Sequence, residues 1–425
     1  MAVEESPVVR VGRAGAAVGR AWTLSRPAGF WLVGVVLVLL LFSSSVPSPL
    51  YVVYQQEWHF SAAVLTVVFA VYAVAVLASL LVFGSLSDVI GRRRVLLGAL
   101  ALAVAAMLVF ATAGSVAALL VARGVQGVAV GLATGAMSAA LIELAPPGRP
   151  MRGTLVNSAA PTLGMAAGAL VAGLLVQYAP APTSLTYLLL AGAFALALVG
   201  VVFLPETAPG AGRGLRVRLH RISVPGAARR PFALLSLALV AVWAVGGFYL
   251  SLGPSLALQL LHSRSHLVGG LSVAVLAGIA TVGQLALGRL AALRTAVLGL
   301  LLLVAGLVLV LVALSSGGAV VFFAGTAVLG LGWGSTFLGA FRSLAALATA
   351  DSRGELMAAV YVVAYLSMSV PAVLAGLVSS HLGLHRTAVA FVIAVGAVCL
   401  IALAGLNWAT PTTKARQGAA RAPAR

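Results

Sequence analysis

Charged side chains are scarce in this sequence. Asp, Glu, Lys and Arg make up only 8% of its 425 residues, whereas 62% are hydrophobic. A soluble domain has about 25% charged residues, so this chain could not cover its surface in water. The composition excludes a soluble globular protein and predicts a chain that is solvated largely by lipid.

Cysteine and the motifs of cofactor sites are also nearly missing. The single cysteine, Cys399, lies in a late apolar run and cannot form an internal disulfide. The sequence contains no Walker A loop, no Gly-x-Ser-x-Gly and no His or Cys at metal-ligand spacing. We therefore expect no cofactor and no metal, and an enzyme or a membrane receptor without transport activity is only a remote alternative.

Long apolar runs fill most of the chain instead. Each is long enough to cross a hydrocarbon core of about 30 Å as a helix. They predict an all-α membrane protein with twelve transmembrane helices, at residues 28–54, 61–83, 95–113, 116–144, 154–178, 184–204, 232–260, 266–287, 295–314, 318–344, 354–380 and 387–406.

The basic residues indicate which way the chain crosses the membrane. Twenty-three of the 26 lie in the N-terminal segment, the even-numbered loops and the tail, whereas the opposite loops hold only Arg264 and Arg386. Basic residues concentrate in cytoplasmic loops, so both termini are predicted to be cytoplasmic. This placement accounts for the formal charge of +18 without a nucleic acid partner. The expected setting is the cell (inner) membrane, crossed many times by a monomer in contact with the lipid bilayer.

One polar segment, 205–231, divides the twelve predicted helices six and six. Its Pro, Gly and Arg residues predict a cytoplasmic linker between two structural repeats. The repeat is visible in the fourth and tenth helices, where Glu143 follows Gly131, and Arg342 follows Gly330, by twelve positions. The predicted organisation is a cytoplasmic N-terminal segment (1–27), a six-helix half (28–204), the linker (205–231), a second pseudo-symmetric half (232–406) and a cytoplasmic tail (407–425).

A charged loop with paired glycines joins the second and third predicted helices. It contains Gly84, Asp88 and Gly91, followed by Arg92 and Arg93. A carboxylate and an arginine cluster on a tight glycine turn can make charge-assisted bonds to neighbouring helix ends. The loop resembles the signature of the major facilitator superfamily, Gly-x-Leu-x-Asp-x-x-Gly-Arg-Arg/Lys. The resemblance implies that it serves as a cytoplasmic latch.

The fourth predicted helix contains an arginine within its membrane-spanning segment. Arg123 precedes Gln126 and Gly127, which is similar to a second motif of the same family. An arginine inside a membrane is costly unless it is paired or faces water, so Arg123 and Gln126 are candidates for a role in coupling or gating. The alternative is that Arg123 extends its head to the nearby outer surface.

Regularly spaced glycines follow in the fourth and fifth predicted helices. Gly127, Gly131 and Gly135 recur every four residues and predict a smooth stripe for close helix contact. The fifth helix resembles the antiporter motif Gly-x-x-x-Gly-Pro-x-x-x-Gly, but Ala169 replaces the proline, which weakens the case for antiport. Its three candidate packing glycines are Gly164, Gly168 and Gly173.

Glu143 and Arg342 occupy equivalent positions in the two halves and carry opposite charges. In the family's architecture the fourth and tenth helices face each other across a central cavity, which implies that these residues could form an inner gate. The alternative pairs Glu143 with Arg92 or Arg93 in its own half, and Arg342 with Asp351 or Glu355 in the other. The sequence does not decide between the two arrangements.

The substrate expectation follows from the absence of carboxylates in the middle of any predicted helix. Such a site suits a neutral or apolar amphiphile. Candidate cavity residues are Asn157, Trp243, Tyr249, Trp333, Phe337, Tyr361 and Tyr365. The resemblance implies a secondary-active transporter, and we expect it to export small hydrophobic compounds, such as drugs or metabolites, with protons as the coupling ion. The alternative is an importer of a neutral nutrient such as a sugar.

Overall fold

A computed structural model describes residues 23–148, 151–208, 222–349 and 352–419 of the chain. These residues are almost entirely helical. The helices are α1 (Arg26–Ser45), α2 (Pro47–Trp58), α3 (Ala62–Phe83), α4 (Leu86–Ile90), α5 (Arg92–Ala111), α6 (Val116–Glu143), α7 (Met151–Tyr178), α8 (Pro182–Val202), α9 (Arg229–Ser251), α10 (Gly253–Leu260), α11 (His266–Leu287), α12 (Ala292–Ser316), α13 (Ala319–Ala345), α14 (Arg353–Leu382) and α15 (Leu384–Ala419).

Twelve helical segments in the described residues are long and apolar enough to cross a membrane. They confirm the twelve predicted helices, and most predicted ends lie within four residues of the observed ones. The seventh predicted helix, 232–260, is divided between α9, which ends at Ser251, and α10. The difference is also larger at the C-terminus. There, α15 continues through much of the predicted tail to Ala419. The last residues of the predicted linker are also helical, since α9 begins at Arg229.

Prolines interrupt the first helix of each half at a similar place. The first span breaks at Val46, and Pro47 then opens α2. In the second half, α9 ends at Ser251, and Pro254 lies in the first turn of α10. Proline has no amide hydrogen to donate and clashes with the preceding turn, so a helix bends or breaks where it occurs. The matching breaks are a structural trace of the internal repeat.

Glycines let the helices of the first half approach closely. A Cβ on Gly127 would lie only 2.6 Å from the Tyr72 carbonyl oxygen in α3, and one on Gly131 would lie 2.6 Å from the Ser79 Cβ. A Cβ on Gly164 or Gly168 would lie even closer to the backbone of α1. Gly135 lies near the Gly84 carbonyl. These positions fit the packing role that was predicted for the stripe.

Two pairs of helices join the halves of the bundle. Helices α7 and α11 run side by side: Gly173 packs on Gly270, and the Thr162 and Thr281 hydroxyls share a hydrogen bond of 2.8 Å. Helices α3 and α14 form the second pair, with Gly376 packed on Thr66. The space enclosed between these pairs holds the central cavity.

Most of the described arginines lie in or beside loops at one end of the bundle, which we call the arginine-rich end, whereas Arg264 lies in the loop before α11 at the other end. The loops of the arginine-rich end follow α3, α6, α11 and α13 in the chain. Several predicted charges of this end fall outside the described residues: Arg10, Arg13, Arg20, Arg149, Asp351 and the linker residues 209–221.

Candidate functional site

A cavity of about 120 Å³ lies between the two halves. Helices α1, α3 and α7 of the first half contribute to it, and α9, α11, α13 and α14 line the other side. Its lining consists of Leu41, Ser44, Phe69, Tyr72, Ser158, Pro161, Thr162, Met165, Val242, Trp243, Gly246, Leu250, Gln284, Trp333, Gly334, Phe337, Tyr365 and Met368.

The cavity lining, as far as the structure describes it, includes no Asp, Glu, His, Lys or Arg. Its polar groups are hydroxyls, two indole N–H groups and one amide. Moving an ion from water into such an environment is costly because nothing replaces its hydration. The site therefore suits uncharged molecules with a large apolar surface.

Four of the seven predicted cavity residues lie together in this lining. Trp243 is central among them: its ring centroid is 5.1 Å from that of Tyr365 and 6.1 Å from that of Phe337. Trp333 is fixed beside it, because its indole Nε1 donates to the Val242 carbonyl at 2.7 Å. Ring pairs at these separations pack favourably in tilted or edge-to-face geometry.

The other three predicted cavity residues lie elsewhere. The Tyr249 hydroxyl shares a buried hydrogen bond with Thr326 at 3.1 Å, so it belongs to packing between α9 and α13. The Asn157 Oδ1 accepts a bond from the Ser138 hydroxyl at 3.0 Å and links α7 to α6. Tyr361 lies in α14, one turn before Tyr365, and does not reach the cavity wall.

Sequence reasoning missed the contribution of the first half and of α11. Phe69 and Tyr72 add two aromatic walls, and the Tyr72 hydroxyl donates to Ser44 Oγ at 3.0 Å. The polar Gln284 lies in the apolar run of α11. An amide inside an otherwise apolar membrane helix was the available signal for it.

Arg123 is completely buried in α6, with 0% of its surface exposed. Its Nε donates to the Tyr51 hydroxyl at 2.6 Å, and its Nη1 donates to Gln126 Oε1 at 2.8 Å and to the Ser44 carbonyl at 3.2 Å. The guanidinium also lies over the rings of Tyr51 and Tyr72, 5.3 and 5.1 Å from their centroids. In this conformation the side chain does not extend to the surface.

Neutral groups hold this cation, since neither ion pair of the described residues includes Arg123. Gln126 completes the network by donating through Nε2 to the Ser43 carbonyl at 2.9 Å. Tyr72 and Ser44 contact Arg123 on one side and line the cavity on the other. The buried charge is thus one layer behind the cavity wall.

The loop of the predicted latch forms a charged cluster at the arginine-rich end. Arg92, the first residue of α5, pairs with Asp88 in α4, and its Nη2 lies 3.3 Å from Glu143 Oε1 in α6. The two glycines differ in role: Gly84 follows α3 directly, whereas Gly91 has φ 107° and ψ 146°, a conformation that L side chains rarely adopt. Gly91 therefore allows the sharp turn from α4 into α5.

Glu206 joins this cluster from the far end of the first half. Its carboxylate accepts from the backbone N–H of Arg92 at 2.8 Å and of Arg93 at 3.2 Å. These are amides of the first turn of α5, which have no partner within the helix, and a carboxylate there also interacts favourably with the helix dipole. The loop after α8 is tied to the start of α5 in this way.

Glu143 and Arg342 each bind within their own half. Glu143 Oε2 accepts from the Thr207 hydroxyl at 2.5 Å, besides its pairing with Arg92, and Arg26 donates to its backbone carbonyl. Arg342 donates to the carbonyl oxygens of Gly288 at 2.8 Å and Leu290 at 3.4 Å. Within the described residues the two charges form no ion pair, so the alternative arrangement of Glu143 with Arg92 is the one present in this conformation.

Solved structures with the same fold are membrane transporters. A bacterial homologue of the human lysosomal transporter Spinster, solved in an inward-facing and unoccupied conformation, superposes with a TM-score of 0.73 at 14% identity, covering 90% of this chain and 97% of its own. The human organic anion transporter MFSD10 (TETRAN) gives 0.63 at 20% identity, with 90% and 100% covered. A mutant of the nucleoside transporter NupG gives 0.70 at 11% identity, also with 90% and 100% covered.

The twelve-helix bundle with a cavity between its halves defines the class as a multi-pass membrane protein with the fold of these transporters. No curated protein sequence matches the chain at a significant level. The Major Facilitator Superfamily profile matches residues 32–370, and the chain belongs to this family.

Proposed function

We propose that this protein is a secondary-active carrier that exports small hydrophobic or neutral amphiphilic compounds, drugs or metabolites, in exchange for protons. The observation that carries the proposal is the aromatic cavity between the halves, whose described lining is uncharged. Such a lining favours a neutral molecule with a flat or aliphatic body, because burying its apolar surface is favourable and no ion loses its hydration.

Proton coupling, in this proposal, acts at the arginine-rich end and not in the cavity. No titratable acid or histidine is among the described cavity residues, so a proton and the substrate do not compete there for one carboxylate. Glu143 is the acid that links α6 to Arg92 in α5 and to Thr207. Protonating Glu143 would remove the charge of this link. Export as the direction rests on the resemblance to the family, since Ala169 replaces the proline of the antiporter motif.

The alternative is import of a neutral nutrient such as a sugar. A sugar presents hydroxyls on every side, and each one that is buried needs a partner. The polar groups of this cavity are few, and most of them are bonded within the protein. The lining therefore favours an amphiphile over a sugar.

The test is flux in sealed liposomes that contain the purified carrier. A neutral aromatic dye, an organic cation and a labelled sugar are each measured with and without an imposed pH gradient. We expect gradient-dependent movement of the neutral dye alone. Equal flux without the gradient would contradict proton coupling, and preference for the cation or the sugar would contradict the assigned substrate class.

Two phenylalanines of α13 test whether the dye flux depends on the cavity. Phe337 lines the cavity, whereas Phe341, one turn further along α13 and 5.6 Å away between ring centroids, does not. Phe337→Ala should lower dye flux several-fold through the loss of an aromatic contact. Phe341→Ala should leave most of the flux intact, and equal losses in both variants would show that the cavity is not the site.

A further inference from the structure

Gln284 is a buried amide that lacks a partner in a cavity wall. Only 1% of its surface is exposed, and neither its Nε2 nor its Oε1 has a hydrogen-bond partner among the described residues. Buried polar side-chain atoms are nearly always hydrogen-bonded, because leaving them unpaired forfeits the bonds they made with water. Gln284 thus brings an unpaired donor and an unpaired acceptor to the cavity wall.

The Trp243 indole N–H is in the same situation. It lines the same cavity and has no partner in the described residues. Several other polar groups of the wall are bonded within the protein: Tyr72 donates to Ser44, Thr162 to the Ala159 carbonyl and Trp333 to the Val242 carbonyl. Besides the Tyr365 hydroxyl, free hydrogen-bonding groups of the described lining are thus those of Gln284 and the Trp243 indole.

We propose that Gln284 and Trp243 form the polar contact of the transport site and select uncharged, flat molecules that carry a hydrogen-bond donor and acceptor on one edge, such as a carboxamide or a lactam fused to an aromatic ring. This inference rests on the proposed function and specifies its substrate class. Gln284 Oε1 accepts from the ligand's N–H, while Gln284 Nε2 or Trp243 Nε1 donates to its carbonyl oxygen. The rings of Tyr365 and Phe337 next to Trp243 provide apolar faces for the flat body.

A ligand whose polar edge is charged is disfavoured beside Gln284 and Trp243. A carboxylate would find donors but no cation in the described lining, and an ammonium would find one amide oxygen and aromatic faces. Sites built to hydrogen-bond a particular neutral group reject analogues that lack it, since the buried partners are then left unpaired. The preference should therefore appear as a ratio of affinities between compounds of the same shape.

The test measures binding of three naphthalenes of similar size to the purified full chain in lipid nanodiscs, each corrected for partition into empty nanodiscs. The probes are 2-naphthamide, 2-acetylnaphthalene and 2-ethylnaphthalene, which carry donor and acceptor, acceptor only, and neither. We expect the wild-type protein to bind the amide about tenfold more tightly than the ethyl compound, with the acetyl compound between them.

Variants then assign the preference to these two residues. Gln284→Met, which keeps the length of the side chain, should reduce the amide-to-ethyl ratio to about one, and Trp243→Phe should lower the acetyl-to-ethyl ratio while retaining an aromatic wall. Gln177→Met is the matched control, because Gln177 bonds the His266 backbone N–H away from the cavity, and its ratio should equal that of the wild type. A wild-type ratio near one, or an unchanged ratio in Gln284→Met, would overturn the inference.

The same variants separate this inference from the proposed function. Gradient-driven flux of the neutral dye with no amide preference would refute the substrate class and leave the carrier function standing. Absence of gradient-driven flux for every neutral probe would refute the proposed function itself.

Discussion

At the scale of single residues, Arg123 shows how a charge can be kept inside an apolar bundle without an acid beside it. Insertion of an arginine at the centre of a membrane helix costs about 2.5–3.5 kcal/mol on biological insertion scales. Hydrogen bonds to Tyr51, Gln126 and the Ser44 carbonyl and the two aromatic faces offset part of this cost, although Nη2 has no hydrogen-bond partner among the described residues. Each cation–π contact contributes about 0.5–2 kcal/mol.

Arg123→Ala should reduce uphill transport more than substrate binding. The substitution leaves the Tyr51 hydroxyl and Gln126 without their partner and removes the layer behind Tyr72, but it removes no group from the described cavity lining. The measurements are flux driven by a pH gradient and equilibrium binding of the same neutral dye. Arg123→Lys is the informative control, since an ammonium keeps the charge but cannot reproduce the planar fork.

For Arg123→Lys we expect impaired coupling as well, with a smaller loss than in the alanine variant. Normal gradient-driven flux in Arg123→Ala would show that the buried network serves packing alone.

At the scale of elements, the start of α5 is the point where four segments of the first half are connected. Arg92 reaches Asp88 in α4 and Glu143 in α6, and Glu206 caps the helix from beyond α8. A capping carboxylate at a helix N-terminus stabilises it by about 0.5–2 kcal/mol. A shift of about 1 kcal/mol between two conformations changes their ratio about fivefold, so this cluster is strong enough to bias a carrier.

Asp88→Asn should cripple transport while the protein remains folded in the membrane. Its side chain is 61% exposed, and exposed ion pairs contribute only about 0–1 kcal/mol to stability. Asp88→Asn nevertheless removes the carboxylate charge that pairs with Arg92 in the loop of the predicted latch. Flux and membrane abundance are compared with Arg94→Gln, since Arg94 is exposed and its Nη1 donates only to the Ile90 carbonyl.

Arg94→Gln should transport at close to the wild-type rate. Wild-type flux in Asp88→Asn would contradict the latch interpretation of residues 84–93.

The twelve long helices could be predicted because length and hydrophobicity are local properties of the chain. The connections between them could not. Glu206 contacts α5 across more than a hundred residues of sequence, and the short helix α4 lies in a loop whose glycines predicted only a turn. Of the cavity residues, Trp243 and Phe337 were predicted from residue type, whereas Tyr72 of the first half was not. Residue type also suggested Tyr249, which packs against Thr326 instead.

At the scale of the whole molecule, the two halves touch along α7–α11 and α3–α14, and the gate predicted from Glu143 and Arg342 is not formed in this conformation. A pair that forms only when the arginine-rich end closes remains a prediction. Each single reversal, Glu143→Arg or Arg342→Glu, should damage transport. The double reversal should restore part of it.

The double-mutant cycle is read from flux of the neutral dye. Glu143 also binds Arg92, so Glu143→Arg alone places two positive charges next to each other. Because the double variant keeps this repulsion, any recovery of flux in it must come from Arg342→Glu. A double variant no better than the worse single one would show that the two residues never meet.

We propose that the substrate crosses by alternating access, as the two halves change their contacts around the cavity, and a cross-link between the halves tests this movement. Gln177 and His266 lie on opposite halves, with Gln177 Oε1 accepting from the His266 N–H at 2.9 Å. In a Cys399→Ala background, which removes the single buried cysteine, Gln177→Cys with His266→Cys is joined by a short, cleavable bifunctional thiol reagent. We predict that the cross-linked carrier loses dye flux and regains it when the linker is cleaved; full flux through the cross-linked protein would contradict the account.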